Sequence, residues 1–216
     1  MTDPASCATE PGPCVPRETM TDTDAPAHSL AQALERLGSR PVVLVGLMGA
    51  GKTTVGRRLA QALNLPFVDT DGEIEAASRM SVSELFAAYG EPEFRALEAR
   101  VVARLVEAGS QVIATGGGAF MSEATRRLLR ERATTVWLRA EIDVLMERVL
   151  KRPTRPLLQT TDPRQTMLQL MERRYPIYAE ADIHVESRNV RREQIVREIV
   201  DALAVPHNRR AEVIAS

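Results

Sequence analysis

The sequence predicts an α/β fold: a five-stranded parallel sheet with helices on both faces, a three-layer sandwich. Two observations carry that reading. Short apolar, β-branched runs alternate with amphipathic stretches of helical period along most of the chain. In addition, Gly46-Leu47-Met48-Gly49-Ala50-Gly51-Lys52-Thr53-Thr54 fits G-x-x-x-x-G-K-[ST], a phosphate-binding loop that needs a strand before it and a helix after it. Pro41–Val45 supplies the strand, an apolar run of the kind buried in parallel sheets. Thr54–Leu63 supplies the helix, with Val55, Leu59, Ala62 and Leu63 along one face.

In chain order, residues 1–27 hold five of the thirteen prolines with Thr, Ser and Asp and little apolar material, so an acidic, disordered tail is expected. Met1-Thr2-Asp3 recurs as Met20-Thr21-Asp22, which makes Met20 a second candidate start. Residues 28–216 are read as a single domain. A short helix over His28–Leu37 opens it and stops at Gly38. After the phosphate loop, strands are expected at Leu65–Asp69, Gln111–Thr115, Thr134–Leu138 and Ile183–Val185. Helices are expected at Asp71–Ser78, Ser81–Ala88, Glu93–Ala108, Glu123–Arg132, Asp143–Leu150, Arg164–Tyr175 and Arg192–Leu203. The aperiodic, Pro- and Thr-rich stretch 151–166 is a candidate mobile lid.

Composition narrows the class. No apolar run approaches the ~20 residues of a membrane helix, and the N-terminus lacks the basic-then-apolar pattern of a secretory signal. Both cysteines, Cys7 and Cys14, fall in the tail, which points to a reduced, cytoplasmic protein. The histidines have no metal-ligand spacing, so a protein-held zinc site is not expected. Beyond the tail, 27 basic side chains face 24 acidic ones. That excess of +3 is too small for a nucleic-acid footprint but suits a cleft that collects phosphates and a carboxylate.

The chemistry centres on the phosphate loop. Its glycines let the N–H groups of Gly49, Ala50, Gly51, Lys52, Thr53 and Thr54 curl around phosphate oxygens at a helix N-terminus. Lys52 reaches the β/γ oxygens, and the Thr53 hydroxyl is placed to ligate Mg²⁺. The chain has only two lysines, Lys52 and Lys151, against twenty-six arginines, so a compact point charge was kept where one is wanted.

Four further constellations surround that loop. Asp69-Thr70-Asp71 puts two carboxylates on one side of a strand end. One of them could hold Mg²⁺ and the other accept a proton from an attacking hydroxyl, or Asp71 could simply cap a helix. Arg95 and Glu98, three apart, read either as a carboxylate clamp oriented by an acid or as a surface ion pair. Thr115-Gly116-Gly117-Gly118 has more glycine than a turn needs, which implies a close approach to a ligand unless it is a plain loop. Arg148, Arg155, Arg173 and Arg174 flank the lid stretch, where arginine could stabilise charge on a transferring phosphoryl group or remain a solvated surface charge.

Taken in this order, D-T-D, F-R-x-x-E, G-G-G, R-P-L-L and the double Arg before Tyr-Pro-Ile-Tyr resemble shikimate kinase, a P-loop NTPase-type kinase family. The resemblance spans about Pro41 to Leu203. It implies ATP and Mg²⁺ as cofactors, with Lys52 and Thr53 on the phosphates and metal and Asp69 in the metal's water shell. It implies Asp71 as base and binder of the ring hydroxyls, Arg95 and Arg174 on the shikimate carboxylate, and Gly117 and Gly118 against the ring. It further implies Arg155 as the lid arginine, Arg148 near the adenine, and Glu186-Ser187-Arg188-Asn189 as the adenine-side loop, with Arg188 among the nucleotide contacts. A monomer acting on small molecules is expected, with no nucleic acid or membrane partner. A related kinase for gluconate or a nucleoside monophosphate would also use the phosphate loop, without accounting for both the triple glycine and F-R-x-x-E. A nucleotide switch would read Asp69-x-x-Gly72 as its sensor, but N-K-x-D cannot occur with lysines only at 52 and 151.

Overall fold

The computed structural model describes residues 25–151 and 161–206. Strands β1 (Val42–Val45), β2 (Phe67–Asp69), β3 (Val112–Ala114), β4 (Thr134–Arg139) and β5 (Ile183–Glu186) form one sheet in the order β2-β3-β1-β4-β5. Every pairing is parallel. β1 lies at the centre with all four residues fully buried, which is why its sequence is an unbroken aliphatic run.

The helices are α1 (Ala25–Leu37), α2 (Lys52–Leu63), α3 (Thr70–Ser78), α4 (Val82–Glu107), α5 (Glu123–Arg132), α6 (Ile142–Leu150), α7 (Pro163–Tyr178) and α8 (Arg192–Ala204). Their layering follows from crossover handedness. A right-handed connection moving from β1 out to β2 puts α2 on one face. Connections moving the other way, through β3 to β4 and β5, put α3 to α7 on the opposite face. The packing agrees: α1 and α2 both lie against α8, whereas α3 packs on α4, α4 on α5 and α6 on α7.

The sequence-predicted elements are all present, with three differences. α1 begins at Ala25, so residues 25–27 belong to the helix rather than to the expected tail. The two helices expected around residue 90 abut as one element, α4, broken only at Gly90 (φ 78°, ψ 174°) and followed by Pro92. α7 runs past Pro176 to Tyr178, because a proline in the last turn costs little once Tyr178 is buried in the core. Residues 1–24 of the expected tail, and residues 152–160 of the expected lid, lie outside the described residues. Among the described residues no helix is long and apolar enough to cross a membrane.

One glycine sets the distance between α2 and the sheet. A Cβ on Gly56 would sit 2.6 Å from Phe67 Cε2 and 3.0 Å from Leu44 Cδ1. Gly56→Ala gains about 1 kcal/mol of helix propensity but forces an overlap that typically costs ~1–3 kcal/mol. Net destabilisation is expected, seen as a melting temperature lower by about 2–4 °C in a thermal scan.

Candidate active site

The site is built on the carboxyl ends of β1, β2 and β3. After β1 the chain takes positive φ at Gly46, Gly49 and Gly51, conformations a side chain would resist, and then enters α2 at Lys52. Lys52 Nζ folds back over the loop, donating to Gly46 O at 2.7 Å and Leu47 O at 3.0 Å. Thr53 Oγ1 donates to Asp69 Oδ2 at 2.8 Å. The other Asp69 oxygen accepts the Asp71 N–H at 3.2 Å, so Asp69, rather than Asp71, caps α3. A hydroxyl and a carboxylate thus meet beside the loop, hard oxygen donors of the kind Mg²⁺ takes.

Glu98 and Arg95 face each other from successive turns of α4. The Arg95 Nη1 donates to Glu98 Oε2 at 2.7 Å, while Nε and Nη2 donate to Glu91 Oε1 at 3.2 and 3.0 Å. Its guanidinium also lies over Phe94, 5.3 Å from the ring centroid, and Phe86, at 5.9 Å. Burial works against the Arg95 charge, but the two glutamates outweigh it and hold its pKa above the usual value. Glu98 is 2% exposed, far from an ordinary surface pair. Burial raises its pKa and the neighbouring Asp71 charge adds to that, against the pull of Arg95. Its Oε1 is buried without a hydrogen-bond partner among the described residues.

The triple glycine explains itself against these groups. A Cβ on Gly116 would fall 2.5 Å from Glu98 Oε1 and 2.9 Å from Asp71 Oδ1, and one on Gly118 would fall 2.3 Å from Arg95 Nη1. The turn therefore lies flush against both carboxylates and the guanidinium, which only glycine permits. Gly116 N–H donates to Thr70 Oγ1 at 2.9 Å. Gly117 O accepts from Arg174 Nη1 at 3.0 Å and from the Tyr178 hydroxyl. Asp71, Arg95, Glu98 and Arg174 are thus gathered around one turn, next to the phosphate loop.

Arg148 lies on the opposite side of the phosphate loop. It donates to Gly49 O (3.2 Å), Ser187 Oγ (2.8 Å), Arg188 O (2.9 Å) and Asn189 Oδ1 (3.2 Å). Arg188, the expected nucleotide contact, is turned to α8 and pairs with Glu198. Arg173 is exposed on α7, and Arg155 lies outside the described residues. Sequence reasoning placed Ser187 in the adenine-side loop and Tyr178 in Tyr-Pro-Ile-Tyr but gave neither a role of its own; both hold site backbone through their hydroxyls. For Ser187 a signal existed in the strand alternation of β5, whose buried positions Ile183 and Val185 continue to Ser187.

A family model described as shikimate kinase matches residues 48–204. The chain is 56% identical over 187 residues to the shikimate kinase of Rhizobium meliloti, covering 86% of this chain and 97% of that one. It is 55% identical over 178 residues to the shikimate kinase of Mesorhizobium japonicum, covering 82% and 88%. Among solved structures, shikimate kinase from Acinetobacter baumannii in complex with shikimate superposes with a TM-score of 0.74 at 34% identity, covering 78% of this chain and 94% of that one.

Tyr178 gives the site a measurable titration. Burial pushes its hydroxyl up from 10.0 to about 12, with the Arg174 charge working the other way. The fold thus favours the neutral phenol. The stability this contributes is complete below about pH 10 and is lost as pH rises toward 12. The stability gap between the parent chain and Tyr178→Phe, present at neutral pH, is expected to narrow over that interval in urea melts taken at stepped pH.

Proposed function

The chain belongs to the shikimate kinase family and is an enzyme of that activity; on this premise we propose how its residues divide the transfer of a phosphoryl group from ATP to the 3-hydroxyl of shikimate. The observation that carries the reading is the convergence of Asp71, Arg95 and Arg174 on the Gly116–Gly118 turn, beside the phosphate loop. Arg95 and Arg174 grip the substrate carboxylate with planar forks. Gly117 and Gly118 let the ring lie against the backbone, and Asp71 accepts from the reacting hydroxyl. That oxygen bonds to the γ-phosphorus as the bond to the ADP oxygen breaks, and the hydroxyl proton passes to Asp71.

Lys52 and the loop N–H groups, from Gly49 to Thr54, take the phosphates. Thr53 would hold Mg²⁺ directly and Asp69 through water, which supplies neutralising charge where the β- and γ-phosphates crowd. The Thr53–Asp69 contact supports this assignment. Arg148, braced between the phosphate loop and Arg188-Asn189, borders the nucleotide. The reading extends to a monomeric, cytoplasmic enzyme on small-molecule substrates.

A coupled assay of ADP release tests the whole reading. Turnover with MgATP should depend on shikimate and not on gluconate; consumption of another acceptor with shikimate left unmodified would overturn it. Arg95→Lys keeps the charge and loses the fork, so the KM for shikimate should rise at least tenfold more than that for ATP, by roughly the worth of a charge-assisted bond. Equal loss for both ligands would remove the clamp. Asp71→Asn should lower kcat by about 10²–10⁴ if proton acceptance contributes as it does in general-base catalysis.

A further inference from the structure

The phosphate loop must aim N–H groups inward, and peptide planarity then sends the preceding carbonyl outward. For Gly51 N–H to face a phosphate, Ala50 O has to point back into the protein. Ala50 is 1% exposed, so no bulk water meets that oxygen, and an unpaired carbonyl there would be costly. Ser187 meets it. Its Oγ donates to Ala50 O at 2.6 Å and accepts from Arg148 Nη1 at 2.8 Å, which uses both the proton and a lone pair. Ser187 is itself fixed, 1% exposed, with its N–H donating to Arg139 O at 2.6 Å just past the last β4–β5 pair. Both groups lie in van der Waals reach of the loop: a Cβ on Gly51 would be 3.8 Å from Ser187 Oγ and from Arg148 Nη1.

We infer that Ser187 is a positioning residue for nucleotide phosphate binding, holding the Ala50–Gly51 peptide in the orientation that presents its N–H to the phosphates. The inference rests on the nucleotide-binding role given above to the loop. Its partners are Ala50 O, Arg148 and Arg139 O, so its part is played through the peptide. The last strand of the sheet thereby sets the geometry of the loop that follows the first, across 137 residues of chain. Arg148 supports the same peptide row from Gly49 O and keeps the Ser187 hydroxyl pointed at Ala50. The shikimate side, built on β3, α4 and α7, shares no hydrogen bond with Ser187 among the described residues.

The test is calorimetric titration of Mg·ADP and of shikimate, separately, into the full chain, Ser187→Ala and Ser187→Thr, with a thermal melt of each. Ser187→Ala should weaken Mg·ADP roughly tenfold, the worth of one buried hydrogen bond, and leave shikimate within about twofold. Ser187→Thr retains the hydroxyl and should recover most of the Mg·ADP affinity. A purely structural serine would lower the melting temperature and weaken both ligands together; that result, or unchanged Mg·ADP binding, overturns the inference. Should Ser187→Ala not fold, Ser187→Cys, of similar size and a weaker donor, is read by the same ratio. A parent chain that binds no Mg·ADP takes down the kinase reading and this inference with it, whereas a parent that binds beside an unaffected Ser187→Ala takes down this inference alone.

Discussion

Carbonyl oxygens turned back from two loops at the carboxyl edge of the sheet have to be satisfied by protein donors, and the site depends on how that is done. A loop that offers N–H groups or bare backbone to a ligand necessarily points carbonyls away from it. In this chain those oxygens do not rely on solvent. Lys52 takes Gly46 O and Leu47 O, Arg148 takes Gly49 O, Ser187 takes Ala50 O, and Arg174 with Tyr178 takes Gly117 O. The donors come mostly from the last third of the chain, from α6, α7 and the end of β5, while the loops follow β1 and β3. Ser187 and Tyr178, which have no assigned contact with a ligand, therefore share with Lys52, Arg148 and Arg174 the work of forming the loops.

The electrostatics obey a second constraint. Two carboxylates, Asp71 and Glu98, approach the same glycine, and Glu98 has almost no access to water. A carboxylate as buried as Glu98, with another acid beside it, survives burial only with a cation in reach, and Arg95 provides it with a 2.7 Å bond. Glu91 and the faces of Phe86 and Phe94 hold the same guanidinium from its other sides. Its fork is thus ordered before any ligand arrives, and the entropy of fixing a long arginine side chain is met in folding rather than in binding. A surface ion pair of the same spacing would be worth little, since solvent screening leaves it mobile. The 2% exposure of Glu98 separates the two cases, and spacing along a helix could not.

Much of this was legible in the sequence because it is local. β1 and the phosphate loop are contiguous, Arg95 and Glu98 are one helical turn apart, and Gly116–Gly118 is a run. Contacts between remote strands left weaker traces. Period-two alternation along β5 puts Ile183, Val185 and Ser187 on the buried side and Glu186 on the other, so the loop residue that faces the phosphate loop is Ser187. Arg188 is implied by the resemblance, yet one step along the chain turns it to α8 and Glu198. Tyr178 entered only as the last letter of Tyr-Pro-Ile-Tyr, past the expected helix end at Tyr175, since its partner is a backbone oxygen 61 residues earlier. Two helices were expected on either side of Gly90, but whether they abut or diverge is decided by packing, with Phe86 meeting Phe94 across the break at 4.4 Å between ring centroids.

The pairing of Arg174 and Tyr178 on a single oxygen has a consequence for binding. Gly117 O has two lone pairs and receives one donor at each. If Arg174 turns toward a substrate carboxylate, as its assignment requires, the carbonyl keeps the tyrosine proton and is not left bare in a partly buried turn. Without that second donor the arginine would have to abandon a buried acceptor, a cost of about 1–3 kcal/mol set against the new ion pair. Packing fixes Tyr178 in place for this. The ring is fully buried, stacked on Phe120 at 6.2 Å and tilted against Trp137 at 6.0 Å, and burial keeps the phenol neutral and able to donate. The hydroxyl thus frees the guanidinium to act as a clamp, because the backbone it would leave behind is already satisfied.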